Sequence, residues 1–265
     1  RTHRECAGAC VGLLPAHEHG HVGVGELCGK TKFMKWSVII PTLWKPKTFP
    51  KLLERLQNEP CVDEIILIDN APHQKASVEF GSKIIWLEQS QNIFVNPAWN
   101  LGVERATNEN ICICNDDVLF DTEQLFGYLR ETEPRGIIGI HPQSFHLETW
   151  NTGRPIPSKE VHIKQMWACL FFMRKSDYKP IPQELKVWWG DAWLAWHGRP
   201  ASSLITCVKT KHSESVASPE FAQVLAHDTH LWDNELKPHG LRKKEWLENL
   251  SQRVSNAIKR RILNS

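Results

Sequence analysis

The sequence predicts an α/β fold, a mainly parallel sheet flanked by helices with a C-terminal helical extension. Three observations carry that expectation. Short apolar runs alternate with helix-period segments between residues 36 and 140, the order that builds βαβ units. The runs are Ile-, Val- and Leu-rich with few polar alternates, as suits strands covered on both faces. Polar residues stand where several runs stop, at Thr42, Asp69 and Asp116-Asp117, and in a parallel sheet such ends gather along one edge.

The elements follow in order. Residues 36–41 form the first strand. Thr48 offers an N-cap, Pro50 a first-turn proline, and Leu52, Leu53 and Leu56 an apolar stripe before Pro60. Residues 64–68 make a second strand running into Asp69-Asn70, and 83–87 a third. Asn96-Pro97 reads as an N-cap with proline at N1, opening a helix to about residue 106. The run 111–114 is a buried strand ending in Asn115-Asp116-Asp117, and Asp121 caps a helix over 122–133. Residues 136–140 and 166–173 read as further strands, with a loosened polar stretch after Pro142. A Trp-rich region holding Trp188, Trp189 and Trp193 follows, with a short helical run over 192–197. A last strand spans 204–208. A helix from Pro219 places Phe221, Val224, Leu225 and Leu231 on one side, and a final helix spans about 243–262.

At 265 residues the chain is long enough for one full core. Residues 1–33 read as a disordered extension, 34–216 as the α/β domain and 217–265 as the helical extension. Met34 looks like the natural start. Cys6, Cys10, Cys28, His17, His19 and His21 match no paired zinc spacing. No run approaches the ~18 apolar residues of a membrane span, and residues 1–33 lack a secretory core. Cys112 and Cys114 fall on one strand face, as reduced core residues. These features predict a cytoplasmic protein. The net charge of +2 is uneven: residues 240–265 hold 7 Lys/Arg against 2 Asp/Glu, leaving 25 basic and 28 acidic residues before them. That balance argues against nucleic acid as a partner. The basic tail reads as a solvated helix packed on the body, with peripheral contact at the inner membrane face as the other reading.

Two neighbouring carboxylates at a strand end invite a divalent cation, which in turn carries phosphate. The first strand-to-helix turn, Pro41-Thr42-Leu43-Trp44, contains no glycine, and no Gly-rich loop ends in Lys-Ser/Thr. Dinucleotide and P-loop modes of phosphate binding are therefore excluded. A cation at Asp117 would supply the positive element such a site needs.

At this point the chain resembles a family 2 glycosyltransferase with the GT-A, Rossmann-like fold. The matching pieces are Val38-Ile39-Ile40-Pro41-Thr42, Ile66-Leu67-Ile68-Asp69-Asn70, and Asn92 through Asn96-Pro97-Ala98-Trp99-Asn100-Leu101-Gly102. Asn115-Asp116-Asp117-Val118, Trp189-Gly190-Asp191-Ala192-Trp193-Leu194 and His212 complete them. The resemblance implies an inverting transfer from a UDP-, GDP- or dTDP-sugar to a glycan or other hydroxyl acceptor. It places Pro41, Thr42, Asp69, Asn100 and Asp116 at the donor, and Asp117 and His212 on a divalent cation, Mn²⁺ or Mg²⁺. It makes Asp191 the catalytic base, with Trp188, Trp189 and Trp193 lining an acceptor groove. The sequence departs from the family pattern at Asn115, where the simplest acidic motif has Asp, and at Gly190, where many relatives carry an acidic residue.

Each residue has a plainer reading as well. Asp69 suits a turn cap before Ala71-Pro72, Asp191 an N-cap for 192–197, and His212 a surface histidine; the tryptophans suit a core. Two other functions share the fold class. A sugar-phosphate nucleotidyltransferase would need a glycine-rich basic loop, which 42–47 lacks. A non-catalytic carbohydrate-binding relic would tolerate loss of Asp191.

Overall fold

The computed structural model describes residues 34–71, 80–133, 135–147, 153–161, 167–198, 200–210 and 219–238. The strands are β1 (Trp36–Thr42), β2 (Val62–Asp69), β3 (Ile84–Glu88), β4 (Asn110–Cys114), β5 (Val118–Phe120), β6 (Ile137–Ile140), β7 (Ile156–Ser158), β8 (Leu170–Arg174), β9 (Ala201–Ile205) and β10 (Val208–Thr210). The helices are α1 (Phe49–Asn58), α2 (Val95–Arg105), α3 (Thr122–Thr132), α4 (Gly190–His197) and α5 (Pro219–Leu231), the last continuing into a π-helical turn over Trp232–Leu236.

Eight strands form one sheet in the order β3-β2-β1-β4-β8-β6-β9-β7. β1 pairs parallel with β2 and β4, β2 with β3, and β6 with β9, while β8 and β7 run antiparallel to their neighbours. This is the GT-A-type, Rossmann-like sheet with helices on both faces. The chain moves outward from β1 through β2 to β3 and returns across to β4, so the gap between β1 and β4 is the point where strand order reverses. Ligands bind at such a point in open α/β sheets.

Side-chain alternation on the central strands divides the core in two. Val38 and Ile40, Ile65 and Leu67, and Cys112 and Cys114 pack with Leu52, Leu56, Leu125 and Phe126 of α1 and α3. Ile39, Ile66, Ile68, Ile111 and Ile113 point the other way, against Ala98, Trp99 and Val103 of α2 and Leu194 of α4. The two strand cysteines thus share a face as expected, and both are buried free thiols. Trp36, fully buried, meets Phe126 and Phe172 edge-on at 5.6 Å each.

Helix starts divide into one success and two corrections. Asp121 accepts the Gln124 N–H at 3.0 Å and caps α3 as predicted. Asp121→Ala should cost about 1 kcal/mol in denaturant-induced unfolding, the usual value of such a cap. Thr48 stands before α1 but its hydroxyl makes no capping bond. Asn96 does not cap α2: the helix begins at Val95 after Phe94, and Asn96 lies buried in its first turn. Its side chain is bonded elsewhere, as described below.

The expected strand 204–208 is two strands in two sheets. β9 ends at Ile205, paired with Ile156, whereas Val208 of β10 pairs with Phe120 of β5. On α5, Phe221 is buried but Leu225 is 41% exposed, and the inward position is taken by Asp228, fully buried. Residues 1–33, the helix expected over 243–262 and the basic tail lie outside the described residues. Among those described, no helix is long and apolar enough to cross a membrane.

Candidate active site

The strand ends meet as the parallel topology requires. Thr42 closes β1 and Asp116 follows β4 across the reversal point; the Thr42 hydroxyl donates to Asp116 Oδ2 at 2.8 Å, and Leu43 N donates to the same oxygen at 3.4 Å. Asp116 and Asp117 are almost fully buried. Burial pushes the Asp116 carboxyl up to about 7, and the Asp117 charge adds to it, against the Thr42 and Leu43 bonds that favour ionisation. The backbone N–H of Asn115, before them, donates to Cys169 O at 2.9 Å.

Asp69, at the end of β2, is gripped by two indoles. Oδ1 accepts Trp44 Nε1–H at 2.8 Å and the Ala71 N–H at 2.9 Å; Oδ2 accepts Trp86 Nε1–H at 3.2 Å. Trp44 also joins Asp69 to the first node, because its backbone N–H donates to Thr42 Oγ1 at 2.9 Å. Thr42, Asp69 and Asp116 therefore form one network bridged by Trp44. Phe80 stands beside both indoles, 6.3 Å from Trp44 and 5.2 Å from Trp86, and Trp86 is 45% exposed.

A polar spine runs from this network to Asp191. Asn70 accepts the Ile93 N–H and donates to Phe94 O, which fixes the entry to α2. Asn96, one turn on, donates its backbone N–H to Lys186 O at 2.9 Å and its Nδ2 to Trp188 O at 3.2 Å. Its amide fills the space beside Gly190, where a Cβ would overlap Oδ1 and lie 2.6 Å from Cγ. An acidic residue at 190 has no room beside that amide as it stands here. Asp191 follows, in the first turn of α4.

Asp191 Oδ1 accepts the Ala192 N–H at 2.8 Å. Burial of its carboxyl pushes it up to about 7, against that bond, which lowers it. Three bulky residues of this region have left-handed backbone: Trp44 (φ 60°), Phe94 (φ 66°) and Trp189 (φ 66°). Such conformations cost of order 1–3 kcal/mol each and are retained where surrounding structure imposes them. Phe94 and Trp189 stand immediately before α2 and α4, which carry Asn96 and Asp191, and Trp44 itself bonds Asp69 and Thr42.

The three candidate acceptor-groove tryptophans are all partly buried. Trp188 meets Phe221 edge-on at 6.3 Å, Trp189 stacks on Trp232 at 5.6 Å and 3°, and Trp193 donates Nε1–H to Pro180 O and lies 3.8 Å from the His197 ring. Pro41 is buried in β1 opposite Ile68. The Asn100 amide braces the segment after β8, donating to Ile181 O at 2.8 Å and accepting from Tyr178 Oη at 2.7 Å and Ile181 N at 2.9 Å. His212 lies outside the described residues; β10 ends at Thr210 opposite Val118, the residue after Asp117.

The donor set suits a hard divalent cation. It consists of carboxylate oxygens, and a bound cation would offset both the burial that chiefly raises the Asp116 carboxyl and the smaller contribution of the Asp117 charge. Among the described residues no three His, Cys, Asp or Glu side chains converge as a metal site; of the candidate ligands, only Asp117, with Asp116 beside it, lies among them.

Sequence reasoning missed Trp44 and Trp86 on Asp69, the clamping role of Asn96, and Asp228. The last accepts backbone N–H groups at the start of the Trp-rich region. Asn96 has the chemistry of a cap in the sequence, and only its partner Trp188 O is hidden there. Nothing in the sequence around Asp228 points to partners some 40 residues upstream.

Comparison with known proteins places the chain in a family. Residues 37–181 match the model of glycosyl transferase family 2, and the chain belongs to that family of sugar-transferring enzymes. The match includes Thr42, Asp69, Asn100, Asp116 and Asp117 and ends before Asp191. None of the curated proteins matches. Among solved structures, S. aureus TarS 1–349 is similar at 15% identity and a TM-score of 0.46, over 81% of this chain and 78% of that one. The same TarS fragment in complex with UDP-GlcNAc gives 15% and 0.45, over 77% and 68%. A longer TarS structure gives 16% and 0.49, over 82% of this chain but only 43% of its own length.

Proposed function

We propose that the protein is a metal-dependent, inverting glycosyltransferase that moves a sugar from a nucleoside-diphosphate sugar to a hydroxyl acceptor, a glycan in our reading. The observation that carries this is the continuous network at the strand-reversal point, Asp116–Thr42–Trp44–Asp69, joined through Asn70 and Asn96 to the turn bearing Asp191. A donor lies along the first part, and an acceptor hydroxyl reaches Asp191 at the other end.

Asp191 acts as general base. Oδ1 is engaged by the Ala192 N–H, so Oδ2 takes the proton as the hydroxyl oxygen attacks the anomeric carbon and the nucleoside diphosphate leaves. A base with its carboxyl near 7 is well matched to neutral operation. Asp117, with Asp116 beside it and His212 as a further ligand, would hold the divalent cation, which when bound neutralises charge on the departing diphosphate. The partly buried tryptophans around Asp191 support a sugar acceptor, since flat apolar rings suit sugar faces.

Asp69 also favours one class of base. A carboxylate offers about four acceptor positions, and three already receive Trp44, Ala71 and Trp86. One position suits a base with a single imide N–H, uracil or thymine. Guanine presents an N–H and an amino group together and needs two.

Thermal unfolding with UDP, dTDP and GDP, each with and without Mn²⁺, tests the reading. UDP or dTDP at ~100 times its Kd should stabilise by about 2.7 kcal/mol in a Mn²⁺-dependent way, with GDP weaker. Stabilisation by GDP alone would overturn the base argument, and none by any nucleotide with Mn²⁺ would overturn the reading as a whole.

A further inference from the structure

The turn that carries Asp191 is held by a helix beyond the family-matched residues. Asp228 of α5 is fully buried. Its Oδ2 accepts the backbone N–H groups of three consecutive residues, Lys186 at 3.1 Å, Val187 at 2.8 Å and Trp188 at 3.0 Å; Oδ1 also receives Lys186 N at 3.1 Å and faces His227 Nδ1 at 3.2 Å. Successive N–H groups converge on one acceptor only where the backbone curls around it, and such a curl is an anion-binding concavity. Here the anion belongs to the protein. The next two inward residues continue the grip: Thr229 Oγ1 accepts Trp189 Nε1–H at 3.2 Å, and Trp232 stacks on the same indole. Trp189 is the left-handed residue immediately before α4, and Asn96 of α2 closes on the turn from its own side.

We propose that Asp228 is a positioning residue for Asp191, and that α5 is thereby part of the working enzyme. The inference rests on Asp191 being the base. A buried carboxylate is costly unless its lone pairs are satisfied, and these lone pairs are satisfied by the strand of backbone that must be curled for α4 to start where it does. Asp228 touches no reacting atom; it acts through the conformation of 186–190. If it served only global stability, its loss would lower the unfolding midpoint and leave the turnover of the folded fraction intact.

Asp228→Asn in the full chain separates the two. The near-isosteric amide replaces one acceptor oxygen by a donor facing N–H groups. Turnover, read as nucleoside diphosphate released from a panel of UDP-, dTDP- and GDP-sugars, should fall about 10- to 100-fold, the cost of a misplaced catalytic group. KM for the donor and affinity for the free nucleoside diphosphate should stay within about 2-fold, since Asp228 lies outside the donor network. The double variant Asp191→Asn/Asp228→Asn should be no slower than Asp191→Asn alone. Unchanged turnover in Asp228→Asn with Asp191→Asn inactive, or additive losses in the double variant, overturns the positioning role alone. Full activity in Asp191→Asn overturns the base assignment and this proposal with it. One arm needs no donor: the Lys186, Val187 and Trp188 amides should be protected from hydrogen exchange in the native protein and lose protection in Asp228→Asn, and their free exchange in the native protein overturns the proposal. If Asp228→Asn does not fold, Thr229→Val removes only the Trp189 acceptor and should lower turnover about 3-fold; no change would count against the proposal.

Discussion

Asp191→Asn should slow sugar transfer by about 10²–10⁴-fold, the usual worth of a positioned general base, while nucleotide binding persists. The substitution keeps shape and removes the proton acceptor; the network that would receive a donor, at Thr42, Asp69 and Asp116, contains no Asp191 contact. The wild-type pH profile gives an independent signature. Asp191 works only when ionised, and burial holds its carboxyl up to about 7. Turnover should therefore climb as pH rises through about 7, whereas an unperturbed aspartate would place that limb near ~3.9. The same shift has a stability consequence of known sign. The folded carboxyl binds its proton more tightly than the unfolded one, so its favourable contribution is full below about 4 and is lost as pH rises through 7. Asp191→Asn should match the wild type in Tm near pH 4 and exceed it at pH 8. Undiminished transfer, or a pH limb near 4, would remove Asp191 from the role of base.

Gly190→Ala should also be damaging, by a different route. Its Cβ would overlap Asn96 Oδ1 and stand 2.6 Å from Cγ. Asn96 is fully buried, and its amide cannot retreat without breaking its bond to Trp188 O. Forcing a methyl into such a site costs about 1–3 kcal/mol, measurable in denaturant. Because the strain falls on the turn before Asp191, turnover should fall at least about 10-fold as well. Asn96→Ala makes room for the methyl, so the double variant should lose less than the two single losses added together. Strict additivity would show that the two side chains do not compete for that space.

Much of the fold is legible in the sequence because its cause is local. β1, β2 and β4 are apolar on both faces since helices cover both, and the apolar runs show it without any knowledge of neighbours. Asp121 caps α3 through a bond three residues away, again within reach of local reading. Thr42, Asp69 and Asp116 could be expected to converge because parallel strands align their ends. The errors have a common origin. Asn96 has the chemistry of a cap, but its amide is drawn to Trp188 O, 92 residues away. The run 204–208 is apolar enough for one strand, yet Ile205 and Val208 find partners in different sheets. Of the face expected on α5, Phe221 is buried and Leu231 packs on the core, but Leu225 is exposed and Asp228 is buried in its place, because the surface it meets is polar backbone.

The residue types that can do chemistry, and the strand ends where they stand, were thus set by short-range pattern: alternation along a strand, periodicity along a helix, a carboxylate where an apolar run stops. Which groups those side chains touch was decided only when the chain closed on itself. The indoles on Asp69 come from residues 17 and 25 positions away, and the N–H groups on Asp228 from residues 40 to 42 positions away. A backbone N–H is chemically the same at every residue but proline, so a carboxylate that binds three of them leaves no signature in the residues that donate.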